Sequence, residues 1–212
     1  MSYYMFGLQR SGTNFLTNLI KINFAKDIQN TQPVSWKHSI EDTVGYDKNV
    51  PTIIIHKNPY TWVESISMRN KVDWVGMQKK YHALEKTTEE FTIGPNKMNL
   101  TNLMMTYRDF HNNWLNRSDI PNYLVIKYED LLKEDTRNVV LERIEQTFGW
   151  VRVSPDWRLP VRGTVSQSKD YTEEREKYYI EGIPQNLNRE HIHEINRVME
   201  IWPIHGMGYT IL

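Results

Sequence analysis

Hydrophobic positions change their rhythm several times along this chain. Tyr3 to Leu8 is a short apolar run that ends in Gly7-Leu8-Gln9-Arg10-Ser11-Gly12-Thr13, after which Phe15, Leu16, Leu19, Ile20 and Phe24 recur at three and four. A continuous run followed by a helical period predicts strand, glycine loop, helix. Gln32 to Trp36 has the composition of a second strand, and Thr52-Ile53-Ile54-Ile55-His56 is a β-branched run of the kind buried on both faces of a parallel sheet. Beyond it, Asn58 is suited to cap a helix and Pro59 to occupy its first turn, with Trp62, Val63, Ile66 and Met68 as the apolar positions.

Residues 70–98 are more polar, with a helix expected near Trp74 to Leu84 and a loop around Gly94-Pro95, so the segment reads as an insertion. Helical spacing returns at Leu100, Leu103, Met104, Tyr107, Phe110, His111 and Trp114, and Pro121 precedes the next strand, Tyr123 to Ile126. Asp135 to Phe148 reads as a helix with Val139, Val140, Ile144 and Phe148 inward, stopped by Gly149. Residues 151–186 are irregular and charged, and Asn188 to Trp202 is a last helix. Strands alternating with helices predict an α/β fold with a central parallel sheet. Repeats, linkers and low-complexity tracts are absent, so residues 1–212 read as one domain, with 70–98 and 151–186 as substrate-side insertions in an otherwise regular alternation.

Composition narrows the chemistry. Lys plus Arg and Asp plus Glu are both 26, which leaves no global positive field to recruit nucleic acid, so any anion site must be local. There is no cysteine, which excludes disulfides, thiolate metal sites and cysteine nucleophiles. The first residues lack a basic stretch followed by an apolar run, and no apolar run approaches the roughly 20 residues that span a bilayer. The expectation is a cytoplasmic protein with no membrane span.

A strand, then Gly7-x-x-x-x-Gly12, then a helix can wrap backbone N–H groups around a phosphate, assisted by the positive end of the helix. A nucleotide triphosphatase would continue Gly-Lys-Ser/Thr, whereas here Thr13-Asn14 follows Gly12 and the basic residue, Arg10, precedes it. Spacing alone does not separate an anion cradle from an ordinary strand-to-helix turn.

Two further strings extend the pattern: Lys57-Asn58-Pro59-Tyr60-Thr61-Trp62-Val63-Glu64-Ser65 and Tyr128-Glu129-Asp130-Leu131-Leu132. With Arg10-Ser11-Gly12-Thr13 they resemble, in order and approximate spacing, the sulfotransferases that use 3′-phosphoadenosine-5′-phosphosulfate (PAPS), over about residues 3–148, with a weaker likeness at Met207-Gly208-Tyr209. The resemblance implies a P-loop nucleotide-hydrolase-like fold and an enzyme that moves a sulfuryl group from PAPS to an acceptor hydroxyl or amine, releasing adenosine 3′,5′-bisphosphate (PAP). It implies that Arg10, Ser11, Gly12, Thr13 and Asn14 cradle the 5′-phosphosulfate and that Phe15 stacks on adenine, although Phe15 equally fits the core face of its helix. Lys57 and Ser65 would close on the 3′-phosphate. Lys57 stands where Arg is common in the family, a point charge without the bidentate fork. Tyr128 would lie near adenine, and Arg162 would belong to a late basic loop that completes the 3′-phosphate site.

The resemblance also places the catalytic base near His38, whose ordinary pKa of about 6.5 suits proton removal from an acceptor hydroxyl. Lys37 adds positive charge at the transferring group, and the alternative base is a carboxylate, Glu64 or a residue in the 70–98 insertion. No metal is expected, and His191-Ile192-His193-Glu194 reads as a solvated helix face because residues two apart point apart. The acceptor stays open among carbohydrate, small alcohol and protein tyrosine. Rival readings are a small kinase with an altered loop and a non-catalytic nucleotide- or glycan-binding module.

Overall fold

The computed structural model describes residues 2–27, 47–68, 91–93, 96–115, 117–160, 184–201, 207–209 and 211–212. The elements in chain order are β1 (Tyr4–Phe6), α1 (Thr13–Phe24), β2 (Thr52–His56), α2 (Pro59–Ser67), β3 (Phe91–Ile93), β4 (Asn96–Met98), α3 (Leu100–Trp114), β5 (Tyr123–Lys127), a 3₁₀ turn (Glu129–Leu131), α4 (Glu134–Phe148) and α5 (Arg189–Ile201). The strand expected at Gln32 to Trp36 and the helix expected near Trp74 to Leu84 lie outside the described residues.

Among the described residues three strands form a parallel sheet in the order β1-β2-β5, with Phe6 beside Ile54 and His56 beside Lys127. Alternation along them sorts two cores. Tyr3, Met5, Ile53, Ile55, Leu124 and Ile126 face α1 and α4, where Leu16, Leu19, Ile20, Val140, Leu141 and Ile144 meet them. Tyr4, Phe6 and Ile54 face the other way, toward Trp62 and Val63 of α2, Met104, Tyr107 and Phe110 of α3, and Ile195 and Val198 of α5. Both faces of β2 are therefore covered, which is why its sequence is a continuous apolar run and not an alternating one. The protein is a mixed α/β single domain with its parallel sheet flanked by helices.

Local chemistry sets the element ends. The Asn58 side chain accepts from the N–H groups of Tyr60 (3.0 Å) and Thr61 (3.4 Å), and Pro59, which has no N–H to satisfy, takes the first turn of α2. Asn99 caps α3 by accepting from Asn102 N–H at 2.8 Å. At the start of α5, Asn188 Oδ1 accepts from His191 N–H at 2.9 Å while His191 Nδ1 accepts from Asn188 N–H at 3.1 Å, a reciprocal cap.

Three expectations are corrected, and a fourth, the loop around Gly94-Pro95, whose two residues lie outside the described ones, gains flanking structure. The region around Gly94-Pro95 is flanked by an antiparallel pair, with Phe91 opposite Met98 and Ile93 opposite Asn96, and Ile93 and Met98 enter the core beneath α2 and α5. Val139 is not inward: it is 54% exposed, because the stripe of α4 that meets the sheet runs through Val140, Leu141 and Ile144. Met68, at the end of α2, is likewise exposed. The segment His191 to Glu194 is not a solvated face either. His191 and Glu194 are buried, and Glu194 accepts from the Thr101 hydroxyl on α3 and from Arg197. Among the described residues no cluster of His, Asp and Glu has the makings of a metal site, and no helix is long and apolar enough to cross a membrane.

Candidate functional site

Because β1, β2 and β5 are parallel, their carboxyl ends open on one edge, and each hands the chain directly to a segment of interest: Gly7 to Gly12 after β1, Lys57 after β2, and Tyr128-Glu129 after β5. Ligand sites in open α/β sheets form at this edge.

The first loop is a tight turn held from inside. Ser11 N–H and Ser11 Oγ both donate to the Leu8 carbonyl, at 3.1 and 2.7 Å, and Trp62 Nε1 of α2 donates to the Gln9 carbonyl at 2.8 Å. Gly7 is obligatory, since a Cβ there would sit 2.6 Å from Ile55 Cγ2 and 2.8 Å from the Ile55 carbonyl oxygen. Arg10, at the exposed apex, is left-handed with φ 69°, an unusual conformation for a residue with a Cβ and one that concentrates at functional positions. Gly12 is left-handed as well (φ 94°) and forms the N-cap of α1, with no side chain capping the helix among the described residues and no acidic residue in its first turn. The positive end of its dipole therefore lies at the strand-end edge with no acidic residue in its own first turn.

Lys57 turns inward from the end of β2. Only 2% of it is exposed, and its ammonium donates to Ser65 Oγ at 2.5 Å, eight residues along, on the face of α2 that leans back toward the strand end. The same ammonium lies 5.4 Å from the centre of the Tyr128 ring. Tyr128 in turn covers Gly12, and its N–H donates to the His56 carbonyl at 2.8 Å. Lys57 is also fixed through its backbone, because Tyr107 Oη donates to its carbonyl at 2.6 Å.

Of the residues expected from sequence, the fold thus brings Gly12, Lys57, Ser65 and Tyr128 together, with Arg10, Ser11, Thr13 and Asn14 on the adjoining loop and helix start. Ser11 and Thr13 are buried and Asn14 is exposed. Phe15 is 6% exposed and packs into the core with Leu16, Leu19 and Ile20, so its ring is committed behind α1. Lys37, His38 and Arg162 lie outside the described residues. Glu64 is occupied otherwise: it accepts from the backbone N–H groups of Gln185 and Asn186 and so anchors the segment leading into α5.

Sequence reasoning missed Glu129, which looked like a turn residue. Its Oε1 accepts from Asn58 N–H at 2.8 Å and its Oε2 from Tyr209 Oη at 2.9 Å. Burial pushes this carboxyl above the usual carboxylate range, against the opposing pull of those two donors and of Lys57. The available clue was an acidic residue at the end of a strand in register with the one that carries Lys57. The tail that supplies Tyr209 is itself tied down, with Lys127 Nζ donating to the Gly208 carbonyl at 3.0 Å and Leu212 N–H to Tyr60 Oη at 3.0 Å.

Compared with known proteins, the chain matches no family model, no curated protein and no solved structure. What the site does is therefore argued from its residues and their geometry.

Proposed function

We propose that this protein is a P-loop-like sulfotransferase that transfers a sulfuryl group from PAPS to an acceptor hydroxyl or amine. The observation that carries the reading is the meeting of Lys57 and Ser65 at 2.5 Å beside the amide end of α1 and the ring of Tyr128. A lysine and a hydroxyl converging at a strand end, next to a helix N-terminus with no acidic residue in its first turn, make two adjacent anion positions. A nucleotide with phosphate groups on both the 3′ and the 5′ oxygens supplies two such anions.

In the proposed reaction the acceptor oxygen or nitrogen attacks sulfur in line. The bond from sulfur to the 5′-phosphate oxygen breaks, and PAP leaves with that electron pair. His38 takes the acceptor proton, while Arg10, Lys37 and the amides of the loop carry the charge that develops on the sulfuryl and phosphate oxygens. Lys57 and Ser65 hold the 3′-phosphate. Acceptor choice, among carbohydrate, small alcohol and protein tyrosine, is assigned to the 70–98 and 151–186 segments, which border the regular alternation.

Calorimetry tests the donor. PAP should bind about 100-fold or more tightly than AMP or ATP without added magnesium, since two hydrogen bonds to a charged group contribute about 1.5 to 3 kcal/mol each. Lys57→Ala and Ser65→Ala should each erode that preference and leave AMP affinity nearly unchanged. Equal affinity for PAP and AMP overturns the reading, and tighter magnesium-dependent ATP binding replaces it with a kinase. With labelled PAPS and an acceptor screen, His38→Ala should lower turnover by about 10² to 10⁴ without weakening PAP binding. PAP binding with no turnover on any acceptor would leave a nucleotide-binding module.

A further inference from the structure

We propose that Glu129 is the counter-charge that Lys57 exchanges for a ligand phosphate, and that the exchange draws a proton from solvent onto the Glu129 carboxylate. This rests on the reading of Lys57 and Ser65 as the 3′-phosphate site.

The placement of the two charges carries the inference. An ammonium that is 2% exposed needs compensation, because an unpaired buried charge costs several kcal/mol. Ser65 Oγ and the face of the Tyr128 ring bring dipoles to it. Glu129 supplies the opposite charge from the next strand end: it is bound to the N–H of Asn58, one peptide beyond Lys57, and is attracted by the lysine through space. A phosphate arriving at Lys57 brings close to two negative charges at neutral pH. Lysine and carboxylate then become lysine, carboxylate and phosphate in one enclosure, and the like-charge contact raises the affinity of the carboxylate for a proton.

The other groups around Glu129 leave it as the proton acceptor. Lys57, Tyr107 and Tyr209 act on Glu129 directly; around Tyr209 stand His56 and Lys127 from the strand ends and Asp130 from the turn, and His111 of α3 packs on His56 and Tyr107. His56 and His111 are held neutral by burial, their pKa values falling below 6.5. Burial also holds the Tyr107 and Tyr209 hydroxyls protonated, with pKa values well above 10. Glu129 is a half-buried carboxyl, and burial has already moved it toward the neutral form. Tyr209 regulates how far, since its hydroxyl donates to Oε2 and favours the ionised state.

The test is calorimetric titration with PAP at about pH 8, in buffers of different ionisation enthalpy, on the wild type, Glu129→Gln and Tyr209→Phe, with AMP as the ligand that has no 3′-phosphate. At that pH the free phosphate is already ionised, since its second pKa is about 6. The wild type should take up on the order of one proton with PAP and none with AMP, so its PAP affinity falls as pH rises, by up to about tenfold per unit. Glu129→Gln should bind PAP with no uptake and with a flat pH profile. Tyr209→Phe keeps the carboxyl and removes a donor that favours its ionised form, so its uptake window should move to higher pH. PAP binding without uptake, uptake that survives Glu129→Gln, or an unmoved window in Tyr209→Phe overturns the exchange while leaving the 3′-phosphate site in place. Failure of PAP to outbind AMP removes both.

Discussion

The ring of Tyr128 occupies the space that a side chain at Gly12 would need: a Cβ there would lie 2.2 Å from Tyr128 Cδ2. The two residues belong to different strand-end loops, so this contact sets how closely the loop after β1 approaches the segment after β5. It also explains why a glycine stands at the N-cap of α1, where Ser, Thr, Asp or Asn would otherwise be preferred.

Gly12→Ala should therefore destabilise the protein through two separable effects. The left-handed backbone, φ 94°, costs about 1 to 3 kcal/mol for a residue with a Cβ, and the clash with the ring adds to it. When Gly12→Ala is combined with Tyr128→Ala the clash is gone but the backbone cost remains. Urea denaturation of the two single variants and the double variant should show less than additive loss, with part of the Gly12→Ala penalty recovered when the ring is absent. Strict additivity would mean that the loop moves away from Tyr128 at no cost.

Arg10 sets function against backbone comfort. A left-handed residue with a Cβ costs about 1 to 2 kcal/mol, which glycine avoids at an entropic cost of about 0.5 to 1 kcal/mol, and Arg10 has φ 69°. Arg10→Gly should thus be more stable than Arg10→Ala by about 1 kcal/mol, while both lose the guanidinium and suffer equal losses in PAPS affinity and turnover. Equal stability of the two variants would show that the loop does not hold this conformation. Unchanged single-turnover rates at saturating donor would restrict Arg10 to ground-state binding.

Much of the scaffold was legible because its signals are local. The run at β2, the cap and proline at α2 and the helical spacing of α3 each follow from neighbouring residues, and Thr52 to His56, Pro59 to Ser67 and Leu100 to Trp114 emerge close to their expected limits. What stayed hidden depends on contacts distant in sequence. Phe91-Thr92-Ile93 is too short and too mixed to announce a strand, and becomes one because Ile93 finds the core. Glu129 is a turn residue by composition and a site residue only through Asn58 and Tyr209, 71 and 80 positions away. His191 and Glu194 carried a polar pattern, and their burial follows from distant and local partners, Thr101 and Arg197 for Glu194, and Asn188 and the Phe91 ring for His191. Lys57 and Ser65 were the favourable case, because a strand end and one face of the following helix meet by geometry alone.

Acid stability offers a test of the core behind the site. His111 lies fully buried among Tyr107 and Phe110, its Nδ1 donating to the Tyr107 carbonyl, and its pKa is lowered by burial to about 3. His56, with its ring centre 5.8 Å from that of His111, is lowered well below 6.5 by burial, by His111 and by Lys127. His56 Nδ1 and His111 Nε2 have no hydrogen-bond partner among the described residues. Above about pH 6.5 neither folded nor unfolded chain protonates these rings. Below it only the unfolded chain does, so stability falls as pH falls, down to the folded pKa values. Each ring contributes up to about 1.4 kcal/mol per pH unit in that window, and Glu129, raised by burial, works in the opposite direction. The wild type should lose about 1 to 3 kcal/mol between pH 6 and 5, measured by urea unfolding. His111→Phe, which keeps a ring between Tyr107 and Phe110 but cannot ionise, should show a slope lower by up to about 1.4 kcal/mol per unit. Identical slopes would mean that His111 gains its proton without unfolding, and would remove the buried pair as the source of acid sensitivity.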